Sequence, residues 1–467
     1  MHVSVLSLTV AFSGKSSNRS VPTRCDRIDI RPEISAILSV QISNSTLKKN
    51  IYDNQHKLNI MATEEAPRFI LFVPPVPSPP TISALKAAFA DTFTQVVREC
   101  ASASAEYTKA PILDVALACP HLAGKQDIPR SHVYNETQSA LAAIYKLVCV
   151  IAAAEKINVE DADGVDVRVI PVAWSPTRDW FEDEANPEGP VVSIASLAQA
   201  NKAWQYAFGV ESEAGEAMVR AFVTAKGSGG TVNRLQGDKP VSRDVNSAND
   251  PLSSIAQPAA DQPTGQRHHN SVVGGTFDHL HIGHKLLLTM TLFAVDTAPS
   301  GQPRGSIIGI TGDELLKNKK HISVLESWSD RQKAIAEFCD SLIDFSPAAA
   351  TSSKQITERN DPGPNGKSID IRYPSGFTLQ CTEIQDPFGP TITIPDLGAL
   401  IISAETRSGG NAVNEKRKEK GWNELEVFEV DVLDASEESA AVSEGFESKL
   451  SSTAIRAKIE KKMAAKV

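Results

Sequence analysis

The stretch Ser271–Thr289, SVVGGTFDHLHIGHKLLLT, decides how the rest of the chain is interpreted. It begins with the apolar pair Val272-Val273, which predicts the end of a buried strand, and the pair Gly274-Gly275 then predicts a tight turn. An apolar helix is expected to open at about His281. A strand, a glycine turn and a helix in this order direct backbone N–H groups and a positive dipole end toward one point, which favours a bound phosphate.

Two histidines at the start of this helix are candidate phosphate ligands. His281 and His284 are three residues apart, so both imidazoles should lie on one helix face and reach the same anion. Gly283 between them has no side chain and leaves room for a nucleotide to approach the backbone. Histidines near a helix start are often structural or solvated, but the Gly-Gly-Thr-Phe-Asp turn together with H-x-G-H favours a site.

Composition narrows the class of protein. At 467 residues the chain should hold two or three domains, and 41% hydrophobic residues supply ordinary cores. The net charge of −10 argues against a nucleic-acid partner, which would call for a basic excess. The six cysteines show no C-x-x-C spacing, so we expect neither a disulfide framework nor a protein metal site, and a reducing compartment fits better. No run of 18 apolar residues is present, and no membrane partner is expected.

Residues 1–60 are expected to be a disordered or targeting extension. The first 25 residues contain no Asp or Glu but carry three basic residues and six serines, which is compatible with a mitochondrial transit peptide. Met61 begins a better candidate start, MATEEAPRFILFV. The favoured interpretation is therefore an upstream extension on a cytoplasmic protein, with a mitochondrial location as the alternative.

Residues 61–225 are predicted to form a first α/β domain of unassigned role, because strand-like runs alternate with helical periodicity. The predicted strands are Phe69–Val73, Ile112–Ala118 and Val165–Ala173, and the predicted helices are Ile82–Cys100, Ser139–Ala154 and Ile194 to about Phe222. The acidic side chains from 179 to 184 are interpreted as solvated surface. We find no catalytic constellation in this domain.

Residues 226–270 are predicted to be a disordered linker. Gly, Ser, Pro, Gln, Asn and Asp dominate there, and Phe, Trp and Tyr are absent. Such a segment cannot bury enough apolar area to offset its ordering entropy. The pair His268-His269 at its end is expected to be solvated.

Residues 271–467 are predicted to form a second α/β domain with a parallel sheet. Ser306–Thr311 is the next buried strand after the central stretch, and the helix between them makes a right-handed βαβ unit. Further strands are predicted at Phe377–Ile384, Leu397–Ser403 and Val427–Leu433, with a capping box at Ser329–Gln332, a mobile polar loop at Pro347–Lys367 and an acidic connection at Ala435–Phe446.

Three more polar groups should lie at the carboxyl ends of these strands, where such sheets bind ligands. The lysine cluster Lys317–Lys320 follows one strand and should overhang the site. Another strand leads into SAETRSGGNAVNEKR, where Arg407 offers bidentate donors to phosphate and the glycines let a loop close over a ligand. The last helix opens with Ser451-Ser452-Thr453, and Arg456 follows one turn later. These hydroxyls predict a second anion cradle facing the same phosphates as the histidines, although a simple N-cap needs only one of them.

The motifs G-G-T-F-D-H-L-H-I-G-H and S-S-T-x-x-R together resemble the H-x-G-H nucleotidyltransferases. The SAETRSGGNAVNEKR and DPFGPT segments are similar to those of eukaryotic phosphopantetheine adenylyltransferases of the monofunctional, fungal type. The resemblance covers residues 271–460. It implies an α/β fold in which a Rossmann-like, five-stranded parallel-sheet nucleotidyltransferase domain is preceded by the second α/β domain described above. It also implies that AMP is transferred from ATP to 4′-phosphopantetheine with Mg²⁺, giving dephospho-coenzyme A and pyrophosphate.

The resemblance also implies site roles at the matching positions. Thr276 would orient the attacking phosphate, His284 would stabilise the pentavalent α-phosphate, and His281 would grip ATP phosphates. Lys317 or Lys320 would bind the attacking phosphate; which one the sequence does not decide. The remaining nucleotide- and phosphate-binding residues would be Gly274, Gly275, Phe277, Gly283, Arg407, Ser451, Ser452, Thr453 and Arg456.

Three other functions stay open at this point. Cytidylyltransferases share the H-x-G-H turn, but their Arg-Thr-Glu-Gly signature is replaced here by Glu447-Ser448-Lys449-Leu450. Class I aminoacyl-tRNA synthetases also carry His-Ile-Gly-His, but the K-M-S-K-S loop and a basic tRNA-binding domain are missing. A scaffold for other coenzyme A biosynthesis enzymes, with the first domain as docking surface, could coexist with catalysis.

Overall fold

The computed structural model describes residues 66–103, 109–160, 164–178, 186, 188–227, 233–235, 265–298, 302–350, 353–431, 433 and 451–465. Within these ranges two sheets are each covered by helices, which confirms the predicted α/β class. The expectations for residues 1–60, for most of 226–270, for the acidic side chains from 179 to 184 and for residues 435–450 fall outside the described residues.

The first sheet has five parallel strands in the order β3-β2-β1-β4-β5. The strands are β1 (Arg68–Val73), β2 (Ile112–Ala118), β3 (Asp166–Val172), β4 (Tyr206–Val210) and β5 (Asn233–Leu235). The helices are α1 (Ile82–Ala103), α2 (Arg130–Glu155), α3 (Ile194–Gln199) and α4 (Glu213–Lys226). The first three strands are almost wholly buried, as parallel strands covered by helices must be.

The second sheet has seven strands in the order β12-β11-β6-β7-β10-β9-β8. Five are parallel: β6 (Asn270–Gly275), β7 (Arg304–Thr311), β10 (Phe377–Ile384), β11 (Ala399–Ser403) and β12 (Glu426–Val430). The antiparallel strands β8 (Gln355–Asn360) and β9 (Lys367–Arg372) extend one edge. The helices are α5 (Ile282–Phe293), α6 (Trp328–Ile343), α7 (Arg407–Glu419) and α8 (Ser452–Ala464).

One predicted helix is in fact two helices around a strand. The prediction for residues 194–222 was wrong because β4 lies between α3 and α4. The strand pairs with β1, and its Tyr206 and Phe208 rings stack on Phe69 with centroids 4.7 and 6.2 Å apart. This aromatic packing beside a central strand outweighs the helical propensity of the flanking alanine-rich segments.

Two segments predicted as loop or linker contain edge strands. The polar run Pro347–Lys367 includes β8, which pairs antiparallel with β9, and the linker includes β5, which pairs with β4. The side chains of β8 are nearly all exposed. An edge strand with both faces toward water needs no apolar alternation, so its sequence gives no sign of the backbone pairing.

Two local expectations were also wrong. The helix α6 begins two residues earlier than predicted, because Ser327 rather than Ser329 is its N-cap and accepts a hydrogen bond from the Asp330 N–H at 3.2 Å. His268 is buried rather than solvated. Its Nε2 lies 2.6 Å from Glu426, so the residues just before β6 are part of the folded body.

The helix α2 joins the two sheets into one core. By length and composition α2 could cross a membrane, but 78% of its apolar window is buried inside the protein, which is typical of a core helix. It packs on α1 and on α5, and its Tyr134 ring lies 4.5 Å from Phe428 of the second sheet. The apolar cluster around it is continuous across both sheets.

Candidate active site

The segment between β6 and α5 forms one side of the site. Gly274 and Gly275 lie inside β6, where they pair with Gly309 and Ile310 of β7, so the tight turn predicted at these glycines was wrong. The chain reverses later, through two non-glycine residues with left-handed backbone: Phe277 has φ 54° and His279 has φ 48°. Each such residue costs on the order of 1 kcal/mol or more, so neighbouring groups must hold the turn in place.

Arg331 of α6 holds this turn. Its fully buried guanidinium donates to the carbonyl oxygens of Thr276 at 2.7 Å and Thr311 at 2.9 Å, and it pairs with Asp313 at 2.6 Å. The His279 N–H donates to Glu326 at 2.7 Å. From the sequence, Arg331 was predicted only as part of a capping box. Its role in holding this turn could not be predicted, because its acceptors are backbone oxygens distant in the chain.

His281 and His284 form a stacked pair at the start of α5. His281 is the N-cap residue, and the two ring centroids are 3.9 Å apart with an interplanar angle of 21°. The Phe277 ring lies 5.4 Å from His284. Among the described residues the Nδ1 atoms of both histidines are buried without a hydrogen-bond partner. Buried polar atoms are rarely left unpaired, so this pair is suited to oxygen atoms from a ligand.

Both imidazoles are held in the neutral form. Burial lowers the pKa of His284 to about 4, although the charge of Asp278 and a hydrogen bond to the His279 backbone oppose the shift. Burial, followed by repulsion from His284 and Lys285, lowers the pKa of His281 well below its usual value. A phosphate bound between the rings would favour the charged form and raise both pKa values.

Asp278 joins the two predicted anion cradles. It is fully buried and forms an ion pair with Arg456 of α8, which is also buried. Arg456 further donates to the Thr453 hydroxyl at 3.1 Å and to the Lys320 carbonyl at 3.0 Å. Sequence analysis named Arg456 as a phosphate ligand and gave Asp278 no role. The ion pair makes Arg456 at least partly a structural link between the starts of α5 and α8.

A cavity of about 670 Å³ lies at the carboxyl ends of β6, β7 and β11. The predicted site residues in its wall are Gly274, Gly275, Thr276, Phe277, His281, Gly283, His284, Ser451, Ser452, Thr453 and Arg456. Ser451 is the N-cap of α8 and accepts from the Ala454 N–H at 3.3 Å, so the adjacent Ser452 and Thr453 are not needed for capping. The rest of the wall is largely apolar and includes Leu315, Pro387, Phe388 and Leu400.

Comparison with known proteins divides the chain at the same place. A family model described as cytidylyltransferase-like matches residues 272–458, and a domain of unknown function (DUF8446) matches residues 61–241. A phosphopantetheine adenylyltransferase of Pyrobaculum aerophilum is 30% identical over 193 residues, which are 41% of this chain and 92% of that protein. The chain belongs to the phosphopantetheine adenylyltransferase-type nucleotidyltransferases, within the cytidylyltransferase-like superfamily.

Two fungal proteins are also similar to part of the chain. The phosphopantetheine adenylyltransferase of Saccharomyces cerevisiae is 33% identical over 188 residues, or 40% of this chain and 48% of that protein. An uncharacterized protein of Schizosaccharomyces pombe is 34% identical over 192 residues, or 41% of this chain and 48% of that protein. The chain thus matches about half the length of these two relatives, over a stretch close in length to the cytidylyltransferase-like match.

Three residues predicted to serve this nucleotidyltransferase site do not border the cavity. Lys317 forms an ion pair with Glu314, and the Lys320 side chain is exposed. Lys319 is the lysine of the cluster that reaches the wall. Arg407 is exposed and pairs with Glu429, with Nη2 2.5 Å from Oε1. Exposed lysine and arginine side chains are long and can adopt other rotamers that point toward the cavity. The positions of these three side chains therefore do not test their predicted roles.

The loop predicted after β11 is a helix. Residues Ala404–Thr406 form one 3₁₀ turn and α7 follows directly, so the two glycines lie in its first turn. Gly409 and Gly410 border the cavity. Arg417, the last residue of the segment SAETRSGGNAVNEKR, is buried and donates to the carbonyl oxygens of Thr391 at 2.6 Å and Pro395 at 2.7 Å. It supports the segment that follows β10 instead of reaching a ligand.

The donor set of the site suits phosphate oxygens better than a protein-held metal ion. Among the described residues there is no group of three or more His, Cys, Asp or Glu side chains placed to hold a metal. The carboxylates in the wall, Asp386, Glu405 and Asp431, come from three separate loops. Mg²⁺ commonly binds through substrate phosphates with one or two carboxylates, and this arrangement is compatible with that mode.

Proposed function

We propose that the chain transfers AMP from ATP to 4′-phosphopantetheine, giving dephospho-coenzyme A and pyrophosphate. The observation that carries the proposal is that the starts of α5 and α8 border one cavity and are joined by the Asp278–Arg456 ion pair. Two helix N-termini provide two sets of backbone N–H donors, which is what an extended triphosphate requires. The names of the relatives support the choice of acceptor and of the adenylyl group.

The chemistry needs positioning and charge stabilisation, and no nucleophilic side chain. A phosphate oxygen of the acceptor attacks the ATP α-phosphorus, the bond to the bridging oxygen breaks, and pyrophosphate leaves with the electron pair. In this proposal Thr276 orients the acceptor phosphate, and His281 and His284 donate hydrogen bonds to the phosphate oxygens on which charge develops. Ser452 and Thr453 bind the departing pyrophosphate. Donors fixed before the reaction stabilise this charge without reorganisation.

Mg²⁺ is proposed to enter with ATP. Bound to the triphosphate, it would neutralise charge on the departing oxygens, and Asp386, Glu405 or Asp431 of the wall are the carboxylates available to assist. The lysine proposed to contact the acceptor phosphate is Lys319, since it borders the cavity. Lys317, Lys320 and Arg407 remain proposed ligands that would have to turn inward.

A pyrophosphate-release assay tests the proposal directly. Purified protein is incubated with ATP and Mg²⁺, and the acceptors 4′-phosphopantetheine, phosphocholine and nicotinamide mononucleotide are compared, with CTP replacing ATP in a parallel series. We expect release only with ATP and 4′-phosphopantetheine. Release with CTP and phosphocholine would instead assign the chain to the cytidylyltransferases.

The variant His284→Ala tests whether the reaction depends on the histidine pair. His284→Ala removes one preorganised donor, and loss of such a donor typically reduces turnover on the order of a hundred- to a thousandfold. Circular dichroism checks that the variant is folded. A folded His284→Ala protein with near-normal turnover would refute the role given to His284.

A further inference from the structure

The turn of α5 that carries His284 also rests on the first sheet. Lys285 directly follows His284, but it is buried and absent from the cavity wall. Its Nζ lies 2.5 Å from Asp166 Oδ1 and 3.3 Å from the Val167 carbonyl, both in β3 of the first sheet. A buried ammonium is strongly destabilising without such a partner. The position of this turn of α5 therefore depends on a residue of the other domain.

Asp166 is itself held in a charged, fixed state. Its second oxygen, Oδ2, accepts from Arg168 Nη2 at 2.5 Å and from Nε at 2.9 Å. Burial alone would raise the pKa of Asp166, but the charges of Arg168 and Lys285 outweigh it and hold that pKa well below its usual value. Asp166 thus presents a permanently ionised oxygen to Lys285 from a rigid strand.

The first domain also contacts the other end of α5. Asp296, just beyond this end, accepts from the Arg130 N–H of α2 at 2.8 Å. Phe293, the last residue of α5, packs against Tyr134 of α2 with ring centroids 6.1 Å apart. None of these residues borders the cavity. Both ends of the helix that carries the histidines are consequently held from outside the nucleotidyltransferase domain.

We infer that the first domain is a positioning element for the nucleotide site, and that Asp166 and Lys285 are its contact with the histidine-bearing helix. The inference rests on the proposed function only in assigning the histidines to nucleotide phosphates. It gives residues 61–225 a role inside the enzyme itself. Displacement of reacting groups by about 1 Å can cost on the order of a hundredfold in rate, so a small shift of α5 is enough to matter.

The test compares two lysines that both cross between the domains. Lys285→Met removes the contact under the histidines, and Lys202→Met is the matched control. Lys202 Nζ donates to the Ser341 carbonyl at 2.8 Å and lies 4.6 Å from the Phe345 ring centroid, at a different part of the domain contact. Both changes are made in the full-length chain, and both are expected to lower the thermal midpoint.

Two readouts separate positioning from general stability. At a temperature where each variant is fully folded, Lys285→Met should reduce kcat at least tenfold with a much smaller change in the KM for 4′-phosphopantetheine, whereas Lys202→Met should keep the wild-type kcat. The NMR signals of the His281 and His284 rings should shift in Lys285→Met and not in Lys202→Met. Equal kcat values and unshifted ring signals in Lys285→Met would overturn the inference.

Two further experiments cover the cases in which Lys285→Met does not fold or the wild-type protein is inactive. If Lys285→Met does not yield folded protein, Asp166→Asn replaces it, because asparagine keeps an acceptor oxygen and removes the charge; the same readouts and the same refuting result apply. If the wild-type protein does not turn over ATP with 4′-phosphopantetheine, the proposed function fails. The ring signals and the affinity for a non-hydrolysable ATP analogue still report whether Lys285 positions the helix.

Discussion

The histidine pair is kept uncharged in a site that suits a highly charged ligand. Burial, the largest cause, lowers the pKa of His284 to about 4, so near neutral pH the imidazole is uncharged and keeps a single N–H proton. Neutral imidazoles spare the free protein the cost of burying two adjacent positive charges. Arg456 and Asp278 neutralise each other a short distance away. The starts of α5 and α8 thus present almost no net side-chain charge.

Nucleotide binding is therefore expected to take up protons. A bound triphosphate is expected to raise the pKa of His284 above its value in the free protein. At a pH between the two pKa values, His284 then takes up a proton when the nucleotide binds. The affinity for the nucleotide weakens as the pH rises through the pKa of the complex. Calorimetry at pH 6 in two buffers of different ionisation enthalpy measures how many protons are taken up when a non-hydrolysable ATP analogue binds. His284→Asn is the control for protonation of the ligand itself. Identical proton uptake by the wild type and this variant would show that His284 does not titrate on binding.

Sequence alone identified the residues whose chemistry is local. The H-x-G-H and S-S-T segments border the cavity as expected, because helix starts and hydroxyl runs are visible in a short window. Asp278 and Arg331 were not assigned their roles, since each acts through a partner far away in the chain. Lys319 could not be distinguished from Lys317 and Lys320, because the direction of each side chain depends on the 3₁₀ turn at Asp313–Leu316.

At the level of elements, the central strands allow almost no room beside their backbones. Gly305 of β7 pairs with Thr378 of β10, and a Cβ atom added to Gly305 would lie 2.1 Å from the Thr378 carbonyl oxygen. That oxygen belongs to the backbone and cannot rotate away. The closest approach of the two central strands thus depends on the absence of one side chain.

Gly305→Ala should destabilise the protein by about 2 kcal/mol or more, because relieving the contact requires separating β7 from β10. The midpoint of urea unfolding measures the loss. Gly409→Ala is the matched control: no atom lies within 4 Å of its added Cβ, and alanine favours the helix by up to about 1 kcal/mol. If both variants unfold at the wild-type midpoint, the strand contact is less tight than described.

Buried and exposed elements differed in how well the sequence predicted them. The buried strands β1, β2 and β7 were predicted to within two residues, because continuous apolar runs are typical of parallel strands with both faces covered. The strand β10 was predicted with the same bounds from the largely alternating apolar and polar residues of FTLQCTEI. The edge strands β5 and β8 were missed. The side chains of β8 are nearly all exposed and carry no burial pattern, and the pairing of both strands depends on a neighbour that a local window does not contain.

On the scale of the whole molecule, the two sheets share one apolar core and several buried polar contacts. Arg304 of β7 pairs with Glu188 at 2.5 Å, with both side chains nearly buried, and the Gly189 N–H donates to the Ile343 carbonyl at 2.8 Å. Breaking a buried pair by removing one partner commonly costs about 3 to 5 kcal/mol. The halves matched by separate family models are therefore not independent in the folded chain.

Residues 265–467 expressed alone should not form a well-packed domain. The fragment would expose Phe293, Phe428 and an unpaired Lys285, and a fully buried aromatic side chain contributes about 1.5 to 3 kcal/mol. Near-UV circular dichroism and analogue binding check the fragment, and co-expression with residues 61–264 is expected to restore both signals. A soluble fragment with full affinity for the analogue would contradict this expectation.

The ion pair between Asp278 and Arg456 has a consequence for synthesis on the ribosome. Its two residues are separated by 178 positions, so at about 5 to 20 residues per second the arginine is made on the order of ten to forty seconds after the aspartate. Until then Asp278 lacks its ion-pair partner, and the cavity wall lacks the residues that α8 contributes. The cavity of a growing polypeptide is therefore incomplete until α8 has been made.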